Sequence, residues 1–474
     1  MNVFGRVAKN SGTVLFARLF LVFVRFASIS LIAKTLGKEA FGAYSLVVAS
    51  VGMASLLVDF GISKIAVREL SRRLDEADDF FGALLLLRGG LAAVTFLGIV
   101  GVSLAIQIDP ALRHGLYVYA LAEVLHLFSN GYFVLFKAFE RMEYEALMIF
   151  VDQGVYLGLL AVLLGNGYGL LSVFYAHLIA VTVKLAAGSL VAFSKFVTPV
   201  LRVDPPLWGR LLRESLPVGV TVLLDNVSQR IDILILGIFR SRGEVGGFAG
   251  AYRLIDATLI VSVVFTNAIF PILSRLAAGG AASLRVPVEQ ALKLLVCLGL
   301  PLTVVFVVIP HRIVALIFDA SFSQSVVTFR LLGGLVVLLY ISTLLNSTLI
   351  SLNRQGLYTV AATVALVVNV LLDFALIPLF GYVGASVATI VAQVILLAMA
   401  LLFVVRQVGA MALHRLLPEA FLSAAAMGAV LYALQTQWLP ILLLAGGSTY
   451  VATLLLMRTF KVEEVAMIRE AVRG

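Results

Sequence analysis

Charge is scarce in this chain: only 13% of its 474 residues are Asp, Glu, Lys or Arg, while 61% are hydrophobic. An ordinary soluble protein is about 45–50% apolar. A soluble core cannot use so much apolar surface, so lipid must be the solvent for most of the chain. Cysteine is reduced to Cys297, which excludes a disulfide within the chain. No Walker A motif occurs, which excludes nucleotide use through a P-loop. His114, His126, His177, His311 and His414 are scattered, without metal-ligand spacing and without an H-x₄-D arrangement. The polar loops are no longer than about 20 residues, too short for a separate catalytic domain. These absences argue against a membrane enzyme of glycan assembly, the alternative from another functional class.

Apolar runs are what remain, and a helix crosses the hydrocarbon layer with about 20 of them. The chain has room for about fourteen spans: 12–33, 41–60, 81–106, 115–137, 146–165, 169–194, 215–239, 248–271, 291–310, 326–352, 357–378, 382–405, 416–435 and 439–457. The first apolar run continues to Leu36, too long for the h-region of a cleavable signal, and is expected to be the first span. With the N-terminus inside, twenty-two of the 35 Lys and Arg residues fall on the inner side, counting Lys137 and Lys293 at the inner ends of their spans, and six in outer loops; the other seven lie within spans. Basic residues concentrate in cytoplasmic loops, so both termini are expected in the cytoplasm. The same asymmetry accounts for the net charge of +9 without nucleic acid as a partner. Two amphipathic stretches, Ser63–Ala77 and Val462–Val472, are expected in the headgroup layer, in contact with membrane lipid.

An internal repeat divides the chain. Tyr44 after Gly37-Lys38-Glu39-Ala40-Phe41-Gly42 matches Tyr252 after Gly246-Gly247-Phe248 at an offset of 208. Gly167-Tyr168-Gly169 matches Gly381-Tyr382-Val383-Gly384 at 214, and Asn130 matches Asn346 at 216. The expectation is an all-α polytopic membrane protein with two parallel six-helix lobes, 1–194 and 215–405. The stretch 195–214, with Pro199, Pro205 and Pro206, would link them on the cytoplasmic side, and 406–474 adds helices 13 and 14 and a tail.

Fourteen ionisable residues lie in or beside the spans, at about 2.5–3.5 kcal/mol each near a helix centre. Arg88 and Asp59 are near span ends and can snorkel. Arg253 and Asp256 are three apart and can partly neutralise each other. Arg18 and Arg25 are seven apart, which puts them on one helix face, and no acid occurs between Arg6 and Lys38. Guanidinium groups pair bidentately with phosphate, so this face suits a pyrophosphate; acids from another helix are the rival partners. Asp225, Gln229 and Asp232 form a polar stripe on span 7, and Asn369 and Asp373 are one turn apart on span 11. Such oxygen-bearing groups suit Na⁺ or a proton relay, and equally suit hydrogen bonding between helices.

At this point the sequence resembles the multidrug/oligosaccharidyl-lipid/polysaccharide exporter superfamily, and its polysaccharide-transporter branch. The resemblance rests on Leu36 through Tyr44, Asp59-Phe60-Gly61-Ile62, Arg68-Glu69-Leu70-Ser71, Tyr252-Arg253-Leu254, Phe270-Pro271 with Leu273-Ser274, and Asn369 through Ala385, across residues 5–405. It implies two lobes around a central cavity that opens alternately to either side. The implied cargo is a polyprenyl-diphosphate-linked O-antigen, capsule or exopolysaccharide unit, carried across the cytoplasmic membrane. Enzymes of polysaccharide assembly would be further partners. Arg18, Arg25 and Arg253 match cavity arginines of related lipid II flippases. Asp232, Asn369, Asp373 and Thr389 match the Na⁺ ligands of those relatives, with Asp225 beside them, so coupling to Na⁺ or H⁺ is implied and no other cofactor. Residues 41–60 lack the arginine of the lipid II flippases, which favours the polysaccharide branch over lipid II. A cation-coupled multidrug antiporter of the same superfamily is the nearest alternative, and Arg18 and Arg25 oppose a cationic cargo.

Overall fold

In lipid every backbone polar group must be satisfied within the protein, and long apolar segments therefore close their hydrogen bonds as helices. The computed structural model describes residues 3–106, 108–411, 417–457 and 459, excepting the side chains of residues 3–19, Thr221, Asp225 and Gln324. Among the described residues there is no strand, and each of the fourteen expected spans falls on helix. Ten helical runs among these residues are long and apolar enough to cross a membrane one by one, or eleven with a bent pair taken as one span. The smaller count arises because one run, Phe20–Leu70, contains two expected spans, and because neither Pro205–Phe239, which holds the span expected at 215–239, nor the 16-residue Pro418–Ala433 is among the qualifying runs. The chain is a multi-pass membrane protein.

It divides into two compact units, Met1–Gly237 and Ile238–Gly474. The first contains α1 (Val3–Ala54), α2 (Leu56–Asp59), α3 (Ile62–Leu70), α4 (Ala77–Ala105), α5 (Pro110–Ser129), α6 (Gly131–Ala138), α7 (Met142–Gly165), α8 (Leu170–Lys195) and most of α9 (Pro205–Phe239). Helix α1 holds two spans, broken only at Gly37, with φ 75° and ψ 177°. Only glycine takes this backbone geometry without strain. The seven-residue outer loop expected at 34–40 is therefore a one-residue break.

Helix α3 has the expected amphipathic form: Ile62, Ile65, Ala66 and Leu70 are buried, while Arg68 is exposed and pairs with Glu214. The second expected amphipathic stretch, Val462–Val472, lies outside the described residues. A buried cluster joins Ile62 and Leu70 of α3, Phe81 of α4, Tyr132 and Phe136 of α6, and Leu211 of α9. Another joins Val47 and Val51 of α1, Leu116 and Ala120 of α5, and Phe174 of α8.

The segment expected as an inter-lobe linker at 195–214 belongs to the first unit. Thr198 N donates to Asp78 Oδ1 (2.8 Å), Val200 N to Asp78 O (3.1 Å), and Trp208 Nε1 to Ala83 O (2.9 Å). Pro205 and Pro206 begin α9 rather than interrupt it, since a helix tolerates proline in its first turn.

The second unit contains α10 (Arg242–Ala277), α11 (Arg285–Val308), α12 (Pro310–Ile317), α13 (Ser325–Gly333), α14 (Leu335–Ser351), α15 (Gln355–Phe380), α16 (Tyr382–Val408), α17 (Pro418–Ala433) and α18 (Leu439–Leu456). Helix α14 packs on α10, α11 and α16. The Tyr340 hydroxyl on α14 donates to Thr258 O (2.7 Å), and Gln393 Nε2 on α16 donates to Ser342 Oγ (2.8 Å). The α15–α16 turn is tied down by side chains: Arg240 donates to the end carbonyls Ile377 O (3.1 Å) and Pro378 O (2.8 Å), while Tyr382 N donates to Glu244 Oε2 (3.3 Å). These bonds satisfy groups that a helix end leaves open. Helices α17 and α18 pair with each other; α17 packs on α11, and the Tyr450 hydroxyl of α18 donates to Cys297 O of α11 (2.9 Å).

Candidate functional site

Helix α1 buries Val24, Ser28 and Ile32, and Arg25 lies on its exposed side. Among the described residues Arg25 makes neither an ion pair nor a hydrogen bond. Asp152, an acid of another membrane helix, has other neighbours: Gln153 Nε2 donates to its Oδ2 (3.1 Å), and His126 stands 3.9 Å away. The side chains of Arg18 and Asp225 lie outside the described set. Arg253, on α10 of the second unit, is half-buried and engaged in an interaction, as is Asp256.

The residues expected at a cation site fall in both units. Asp232 is buried on α9 in the first. Asn369 and Asp373 are buried one turn apart on α15 in the second, and Asn369 Nδ2 has no hydrogen-bond partner among the described residues. Thr389 is half-buried on α16, which packs along α15, and its hydroxyl donates to Ala385 O (2.8 Å). The oxygens of Asn369 and Asp373 share one interior face of the second unit, where a hard cation or a proton is chemically suited.

Two corrections follow from side-chain placement. Arg88 does not snorkel: it is 1% exposed, with Nη2 2.6 Å from Asp59 Oδ1 and 2.6 Å from Ser63 Oγ, and Nη1 donating to Leu127 O (3.1 Å). Its position, eleven residues after the start of α4, faces helices rather than the membrane surface. The histidines are not all isolated either: His126 and His177 meet acids inside the first unit. The available signal was spacing, since Glu123 and His126 of α5 and Asn130 just after it recur at three and seven residues, and His177 and Lys184 are seven apart on α8.

The model of the polysaccharide biosynthesis protein family matches residues 7–277, more than half of the chain. The chain belongs to that family. Two curated relatives come from Haloferax volcanii. The probable low-salt glycan biosynthesis flippase Agl15 is 23% identical over 385 residues, covering 81% of this chain and 80% of the relative. The probable flippase AglR is 25% identical over 450 residues, covering 88% of each. Among solved structures, the lipid II flippase MurJ in an inward closed conformation superposes with a TM-score of 0.77 at 14% identity, over 94% of this chain and 98% of MurJ. An inward-facing multidrug resistance MATE transporter of the MOP superfamily gives 0.68 at 15% identity, over 83% and 98%. The fold of this family member is that of the MOP superfamily, as the resemblance in Leu36 through Tyr44 and Asn369 through Ala385 implies.

Proposed function

We propose that this protein flips a polyprenyl-diphosphate-linked oligosaccharide across the cytoplasmic membrane by alternating access, acting as a transporter rather than an enzyme. The observation that carries the proposal is Arg25: a guanidinium on a membrane-spanning helix, exposed and without a protein partner among the described residues. A charge in that position is costly unless something outside the chain engages it. A diphosphate does so with paired, charge-assisted hydrogen bonds. Arg18, seven residues earlier on the same helix, is proposed to share the anion site. Membership of the polysaccharide biosynthesis protein family and two relatives described as probable flippases support a glycan-linked lipid as cargo. An exposed arginine weighs against a cationic drug.

Vesicles reconstituted with the protein and a fluorescent polyprenyl-diphosphate-linked oligosaccharide provide the test, with flipping counted per folded molecule. A charged hydrogen bond contributes about 1.5–3 kcal/mol, so Arg25→Ala should slow flipping by about tenfold to a hundredfold. Arg25→Glu should abolish it, and Arg25→Lys should retain part of it, because charge survives while the bidentate fork is lost. Normal turnover in Arg25→Glu overturns the anion site. A drop in folded yield with normal turnover per molecule would reveal a structural role instead.

A further inference from the structure

Positive charge gathers at the end of the second unit that the distribution of basic residues assigns to the outer side. Arg312 is one of only six Lys and Arg residues expected in outer loops. It lies on α12 beside His311, and Arg330 lies on α13, which packs against α12. Burial first, and then Arg312 and Arg330, hold the His311 imidazole below the ordinary histidine pKa, so both guanidinium groups act on this one ring.

Helix-end carbonyls hold the two arginines in place. Arg330 Nε donates to Val307 O near the end of α11 (3.3 Å). Arg312 donates through Nε to Gln435 O, just beyond α17 (3.0 Å), and through Nη2 to the same oxygen. Among the described residues, both Nη atoms of Arg330 and Nη1 of Arg312 make no hydrogen bond, and neither does His311.

The acids within reach of this end are committed or distant. Asp319, which follows α12, accepts from Ser321 Oγ (2.6 Å) and forms no ion pair among the described residues. Arg285, Glu289 and Lys293 of α11 lie in the half of that helix remote from α12. Glu244 of α10 is bonded to Tyr382 N. Capping therefore explains the bonds to Val307 O and Gln435 O, but leaves like charges acting on one ring with no carboxylate to offset them. An anion offsets them, and the free guanidinium nitrogens match the spacing of phosphate oxygens.

The neighbouring surface is apolar. Helix α12 buries Pro310, Ile313 and Val314 and leaves Leu316 56% exposed, while Val327, one turn before Arg330, is 47% exposed. Cations beside exposed apolar side chains suit an amphiphile with an anionic head and a hydrocarbon chain better than a free anion. Two permanent charges also match a diphosphate diester, which carries two negative charges, rather than a phosphodiester, which carries one.

We propose that His311, Arg312 and Arg330 form a second diphosphate-binding site, at the outer end of the second unit, that holds the lipid-linked diphosphate after it has crossed. The proposal rests on the flippase function above and gives the arrival side its own residues, separate from Arg25. The guanidinium groups take the phosphate oxygens, and Leu316 and Val327 take the first part of the prenyl chain. His311 gains a proton more readily once the anion offsets the arginines. No covalent bond changes.

His311 itself reports on the site. The chain has five histidines, so the isotope-labelled imidazole signal of His311 can be assigned by its loss in His311→Asn, in the full protein in phosphatidylcholine nanodiscs. The probe is a short-chain prenyl-diphosphate-linked N-acetylglucosamine. It should raise the titration midpoint of His311 by about half a pH unit, and do so saturably. Arg312→Gln and Arg330→Gln should each weaken probe binding about tenfold, and Arg330→Lys should weaken it less. Inorganic pyrophosphate, which lacks the chain, should bind several-fold more weakly than the probe.

A His311 midpoint that the probe leaves unmoved overturns the proposal, and this measurement needs no arginine variant to fold. An equal rise in phosphatidylglycerol nanodiscs without probe overturns it too, by showing a site for any lipid phosphate. Pyrophosphate binding as tight as the probe would show a patch for free anions instead. If the glutamine variants lower the melting temperature but leave the effect of the probe intact, the arginines only cap helices and the proposal fails. Binding is read without transport, so a protein that flips nothing loses the flippase function while His311 still decides whether the site exists.

Discussion

Arg88 Nη2 lies 2.6 Å from Asp59 Oδ1, and the two ends of this ion pair are exposed very unequally, at 1% for the arginine and 35% for the aspartate. The pair ties α2 to α4, and the bond from Arg88 to Leu127 O carries the tie on to α5. Gly131 lies against the guanidinium, where an added Cβ would be 3.3 Å from Nη1.

Unequal burial predicts unequal damage. Asp59→Leu strands a buried guanidinium and should cost about 3–5 kcal/mol. Arg88→Met leaves a carboxylate that water can reach and that Ser63 already engages through its backbone N and hydroxyl, so it should cost less. The double variant should resemble Arg88→Met. Melting temperatures of the purified protein in detergent test the order, and equal losses for both single variants would contradict it.

The tie between the 197–204 segment and α4 gives a second prediction. A Cβ at Gly82 would sit 2.0 Å from Val200 O, whereas one at Gly90 on the same helix meets nothing within 4 Å. Gly82→Ala should therefore force backbone apart and destabilise by about 1–3 kcal/mol. Gly90→Ala should be neutral or slightly stabilising, because alanine is the better helix former. The same melting assay separates them; indifference at Gly82 would mean that this contact is loose in solution.

For the second unit, Asp373→Ala should remove any dependence of flipping on a Na⁺ or proton gradient while leaving membrane insertion intact. Asn369→Ala should weaken the same dependence, since its side chain shares the interior face with Asp373. Retained gradient dependence in Asp373→Ala would return both residues to hydrogen bonding between helices.

Orientation is testable separately. Reporter fusions after Arg473 and within 195–214 should be active only in the cytoplasm, as the distribution of basic residues implies. A signal from the opposite side at either place would invert the proposed topology.

The helices were legible in the sequence because lipid leaves the backbone no alternative, and every expected span is found on helix. The break in α1 was read too long, since Lys38 and Glu39 look like loop residues and only Gly37 departs from helix. Proline misled at 205–206, where it starts a helix, and the segment before it is fastened by Asp78, 120 residues earlier in the case of Thr198. Charges were harder. Distance from a span end suggested snorkelling for Arg88, but rotation about the helix axis decides which way a side chain points, and tertiary packing sets that rotation. The seven-residue spacing that singled out Arg18 and Arg25 applies equally to His177 and Lys184, which pattern alone left among scattered residues. What spacing cannot supply is the partner, since Glu123 and Asp152 reach their histidines from neighbouring helices.

The attachment of the last two helices to α11 bears on how the protein is made. Lys293 of α11 donates to Thr459 O, and Tyr450 donates to Cys297 O across 153 residues of chain. During synthesis α11 enters the membrane long before its partners exist, so its docking face must be covered meanwhile by lipid or by the insertion machinery. The second unit therefore completes its packing only once α18 has been made, and a ribosome stalled before α17 would leave a threaded but unfinished protein, a ready target for membrane quality control.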